Sequence, residues 1–160
     1  MRLLVVVGAV VLMVLHFVLH VGFSLRAGAP DLSTLGLLVL AREVRMGTGA
    51  GIGFVLGLLE DALNALAFGT STVAMTVVGA AASRTRDLFV GESATFVALY
   101  LFVGKWVRDG IQWTMTAPDV REPLQRALLV DATVASVYVA VVGLVLVRVF
   151  GNWLETGGRS

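Results

Sequence analysis

Gly47-Thr48-Gly49-Ala50-Gly51-Ile52-Gly53-Phe54-Val55-Leu56-Gly57-Leu58-Leu59-Glu60-Asp61 joins a glycine stripe, an apolar segment and two adjacent carboxylates. Gly49, Gly53 and Gly57 recur every four residues, so a helix sets them on one face. Gly47 and Gly51 widen the stripe. Without Cβ atoms, a second helix can approach closely, and in lipid such packing drives association. The stretch therefore predicts a tightly packed membrane helix around which the others gather. The stripe serves either packing within the chain or a groove for a partner's helix. The string GTGAGIG is not read as a phosphate loop, because no Gly-Lys-Ser/Thr follows it and no strand precedes it.

The composition agrees with a membrane setting. Of 160 residues, 58% are hydrophobic and only 14% charged, and mean hydropathy is +0.91. A soluble domain usually carries about 25% charged residues. The formal net charge of +1 gives no argument for nucleic acid. Cysteine is absent, which excludes disulfides, thiolate metal sites and cysteine catalysis.

Working outward, the apolar run Leu3–Phe23 is broken only by His16 and His20. A helix of that length reaches roughly 30 Å, one bilayer core. A signal peptide is the competing reading, with Ala27-Gly28-Ala29 as its cleavage site, but its apolar region would be shorter. Pro30 ends the loop and Asp31 can cap a second helix. The apolar core of that helix, Leu32–Leu40, is short for a full span, so it tilts or is sheltered by neighbours. Glu92 and Ser93 are candidate caps for the fifth helix. Pro123 suits the first turn of a sixth, which Gly151 closes. The fold predicted is all-α, one polytopic membrane bundle of six transmembrane helices at about 3–23, 31–45, 48–66, 70–83, 94–115 and 124–150. The runs are apolar all round, which argues against a membrane barrel. Arginines and lysines in the loops favour both termini inside.

Glu60 and Asp61 end an apolar run. Either they lie solvated at the outer interface, or at least one turns inward to Lys105 or Arg108, which sit at similar depth in the fifth helix. Lys105 and Asp109 are four apart and can meet on one face. Trp106 and Trp113 flank that cluster, as residues of the headgroup level do. His16 and His20 share a face, but two ligands with no acidic companion in sequence make an incomplete metal site. Asp131 faces either the interior or the interface. No nucleophile elbow, zincin motif or cofactor fingerprint is present, so neither catalysis nor a cofactor is expected.

Pro30-Asp31-Leu32, then Gly53-Phe54-Val55-Leu56-Gly57-Leu58-Leu59-Glu60-Asp61, then the Phe68-Gly69 turn, resemble the rod-shape-determining MreD family. Its pattern is a Pro-Asp-Leu, a Gly-Phe-x-x-Gly-Leu-x-x-Asp and a glycine turn. The likeness in motif covers about residues 30–79; the fifth and sixth helices show no motif that aligns. It implies a six-helix bundle similar to the substrate-binding subunits of energy-coupling-factor transporters, in the bacterial inner membrane. It also implies a non-enzymatic role beside MreC in cell-wall elongation, with RodA, its transpeptidase partner and MreB in the wider assembly. On the partner reading of the stripe, leucine at positions 53 and 57 is expected to weaken recovery of MreC and leave the monomer folded. The alternative is a transporter's substrate-binding subunit, with a polar pocket lined by Glu60, Asp61, Asn64 and Arg108.

Overall fold

The computed structural model describes residues 2–23, 31–63, 67–85, 94–119 and 121–156, with side chains described except at 2–5, 20–23, 147 and 149–156. Pro30, Asn64, Glu92, Ser93 and the His20 side chain, named above, lie outside these. Six helices follow in order: α1 (Arg2–Phe23), α2 (Leu32–Ala41), α3 (Met46–Leu63), α4 (Thr70–Thr85), α5 (Ala94–Met115) and α6 (Thr133–Thr156). A π-helical segment, Gln125–Ala132, leads into α6. The described residues contain no strand.

The centre of the bundle is α2. Of its ten residues, all but Val39 are buried. It touches α1, α3, α4, α5 and α6. Its shortness is thereby explained: the helix is surrounded by protein rather than by solvent or lipid. It starts at Asp31, whose carboxylate accepts from the Thr34 N–H (3.0 Å) and the Thr34 hydroxyl (2.7 Å). It stops at Ala41, not at 45, because Glu43 N–H turns back to the Leu40 carbonyl (2.9 Å) before α3 begins. Leu32, Leu35 and Leu38 form one core with Val78, Val97, Leu101 and Val139. Leu37 and Leu40 form a second with Ala9, Met13, Leu56 and Met75. The glycine helix is thus not the hub. It lies to one side, packed chiefly on α4.

The sixth helix differs from expectation at both ends. Thr133 Oγ1 donates to the Leu128 carbonyl (3.1 Å), and Trp106 Nε1 reaches the same oxygen (3.3 Å). Side chains drawn onto a backbone carbonyl loosen the helical ladder, which suits the π turn found there. Nor does Gly151 end the helix, which runs on to Thr156. A single glycine lowers helix stability by about 1 kcal/mol relative to alanine, which need not end the helix.

The outer surface is apolar. Val7, Val11, Val14 and Val18 on α1, Val55 and Leu59 on α3, Phe96, Leu99 and Val103 on α5, and Val134, Val141 and Val145 on α6 are all exposed. Two stretches, Met46–Leu63 and Gln125–Leu146, are long and apolar enough to cross a membrane; Val6–Leu19 and Leu32–Ala41 are apolar but shorter.

Candidate functional site

Three parts of the chain bring charged side chains to one place. Asp31 stands just ahead of α2, Glu60 near the end of α3, and Lys105, Arg108 and Asp109 on α5. Arg108 is the hinge pin. One of its terminal nitrogens reaches Asp31 Oδ2 (3.0 Å) and Asp109 Oδ1 (3.3 Å), and the other reaches Glu60 Oε2. Lys105 joins Asp31 Oδ2 (3.0 Å) and Asp109 Oδ1 (2.5 Å). Ser33 Oγ lies within hydrogen-bonding reach of Asp31 Oδ1 (2.9 Å) and Glu60 Oε1. His16 of α1 faces Glu60 at 3.8 Å. Lys105 and Arg108 are buried, so these are desolvated pairs whose loss on one side strands a charge. The Arg108 Nε is buried without an acceptor among the described residues.

Three carboxylates meet two cations, which leaves one surplus negative charge among these five groups.

The two carboxylates that are neighbours in sequence part company. Consecutive helical residues point about 100° apart. Glu60 turns to α5, whereas Asp61, 1% exposed, turns to α4. There Asp61 accepts from the N–H groups of Ser71 (3.0 Å) and Thr72 (2.9 Å) and from the Thr72 hydroxyl (2.5 Å). It caps α4 from a residue of α3, satisfying donors that a helix start leaves open. Neither carboxylate is simply solvated, and Asp61 makes no ion pair with Lys105 or Arg108 among the described residues. Asp61→Ala is expected to cost on the order of 2 kcal/mol, because it strands two buried N–H groups. Thermal melting in detergent checks this, with Asp61→Asn recovering part of the loss.

The stripe is filled from within the chain. A Cβ built at Gly49 would lie 2.6 Å from the Gly79 carbonyl oxygen, and one at Gly57 2.5 Å from that of Ser71. At Gly53 it would land on the Met75 carbonyl. Helix α4 therefore rides on the stripe backbone to backbone, and a partner's helix finds no room there. Gly47 and Gly51 face the other way, with nothing within 4 Å. Thr48, Gly51, Ile52, Val55 and Leu56 line an open apolar groove of about 410 Å³ on that side. Phe54 is exposed. Gly69, in the turn to α4, has φ +94°, a left-handed backbone that glycine alone adopts without strain.

Asp131 is exposed, 3.9 Å from an equally exposed Arg126, a pair of little energetic weight. Trp113 Nε1 donates to the Glu122 carbonyl (2.9 Å), and the Arg121 guanidinium stacks over its ring at 4.5 Å. Arg121 also covers the carbonyls of Thr114 (2.8 Å) and Thr116 (2.6 Å) at the end of α5. Asp31, expected only as a cap, is the residue whose pairing role the sequence reading missed. Of the polar lining named for the alternative reading, Glu60 and Arg108 hold each other and Asp61 holds α4, while Asn64 lies outside the described residues. No family model, curated protein or solved structure matches the chain.

Proposed function

We propose that the chain is a non-enzymatic integral membrane scaffold of the MreD type, which binds MreC and helps organise peptidoglycan synthesis and rod shape. One observation carries the reading: Asp31, Gly53, Gly57, Asp61 and Gly69, five of the positions that match the family pattern, are fold-making positions. Asp31 caps α2 and draws in α5. Gly53 and Gly57 seat α4, Asp61 caps it, and Gly69 makes the turn between them. Residues that build a rigid bundle, rather than line an open polar pocket, suit a scaffold. The apolar coat on α1, α3, α5 and α6 supports lipid as the surrounding solvent, since water-soluble monomers rarely expose contiguous apolar surface on this scale. On this reading all six helices sit in the bacterial inner membrane with both termini cytoplasmic, as the arginine distribution favours.

Affinity purification in mild detergent tests the function. Co-recovery of MreC, without a bound small ligand, is the expected result. A tightly retained small molecule and no MreC would replace the scaffold with a transporter's substrate-binding subunit.

A further inference from the structure

The sequence pairs His16 with His20 and gives neither an acidic companion. The fold supplies two. One ligand atom each from His16, Asp31 and Glu60 lie within 4.8 Å of one another. They come from α1, from the residue ahead of α2, and from α3. We propose that these three residues form a binding site for a divalent transition-metal ion of the zinc class.

The donor set fits. Zinc takes an imidazole nitrogen and carboxylate oxygens at about 2.0–2.2 Å, so its ligand atoms stand about 3.4 Å apart. His16 Nε2 and Glu60 Oε1 are already 3.8 Å apart. The charged neighbours are arranged sidewise. Glu60 gives Oε2 to Arg108 and turns Oε1 to Ser33 and His16. Asp31 gives Oδ2 to Lys105 and Arg108 and turns Oδ1 to Ser33 and the Thr34 N–H. Each carboxylate thus has one oxygen held by cations and the other bound only by neutral donors, Ser33 for both and the Thr34 N–H for Asp31. Ligating carboxylates are commonly oriented by such outer partners. The cations lower the affinity for an ion, but the group as a whole, with Asp109, carries a surplus negative charge. Three protein ligands leave a fourth position for water, the form of a site that binds and releases an ion rather than a closed structural one. An ion here would staple α1 to α3 and to the start of α2.

The probe is Co²⁺, followed by its visible absorption on the tag-free full chain in detergent, with Zn²⁺ as competitor. The expected result is one equivalent bound in a four- or five-coordinate spectrum, displaced by Zn²⁺, and lost in both His16→Ala and Glu60→Gln. In parallel, Zn²⁺ should raise the melting temperature of the natural chain and not of His16→Ala. Melting in chelator shows which variants fold, and Glu60→Gln carries the test if His16→Ala does not. No uptake by the natural chain overturns the proposal. So does uptake that persists in every folded variant, which marks an adventitious ion only.

Discussion

Gly53→Leu and Gly57→Leu are each expected to cost about 3 kcal/mol or more, and the pair together to abolish the folded chain. The reason lies in what each glycine touches. At both positions a first side-chain atom would meet backbone: the Met75 carbonyl for Gly53, and the Ser71 carbonyl and Thr72 Cα for Gly57. A flexible side chain can swing away, but backbone can yield only if α4 as a whole retreats. Retreat would also break the Asp61 cap, whose bonds to Ser71 and Thr72 depend on the same close approach. Gly51→Leu is the matched control. It makes the same chemical change on the same helix, but into open space. It should alter stability by less than about 1 kcal/mol, with any change leaning towards stabilisation, because leucine is the better helix former. Melting and monodispersity in detergent read all three variants. Normal folding of the double variant, with loss only of the proposed MreC co-recovery, would restore the partner groove to the stripe.

The second large effect is at Arg108. Arg108→Met retains much of the side-chain volume but removes the charge that holds Glu60 and shares Asp31. Breaking one side of a buried ion pair typically costs about 3–5 kcal/mol, and Arg108→Met should fall in that range by chemical or thermal unfolding. Glu60→Gln should cost distinctly less, on the order of 1 kcal/mol, because it removes the surplus negative charge of the group and leaves Arg108 with Asp31 and Asp109. The unequal cost of the two halves of one pair follows from the charge count around it. An isolated surface pair would show neither effect.

The number and order of the helices were legible in the sequence, because apolar runs and turn signals are local properties. The bounds of α4 and α5 fall close to expectation for the same reason. The place of α2 was less legible. Hydropathy says that Leu32–Leu40 avoids water, but not whether lipid or protein surrounds it; only the shortness of the segment pointed to shelter. The glycine stripe was legible as a close crossing, and its occupant was not, since any helix can fill such a groove. Glu60 and Asp61 illustrate a signal that was present: neighbours 100° apart on a helix cannot both face α5. Asp31 illustrates the opposite. Its local geometry announces a cap, and its contact with Arg108 across 77 residues has no trace in spacing. The same holds for His16, which gains acidic neighbours only through the fold.

Helix α3 is locked into the bundle by its own side chains, with Glu60 on Arg108 as the lock to α5. The double-mutant cycle of Glu60→Gln and Arg108→Met measures that lock most directly. The expected coupling is on the order of 2 kcal/mol, with the double variant more stable than Arg108→Met alone, because neutralising Glu60 removes a carboxylate left stranded by the loss of arginine. Additive losses, with no coupling beyond about 0.5 kcal/mol, would contradict it.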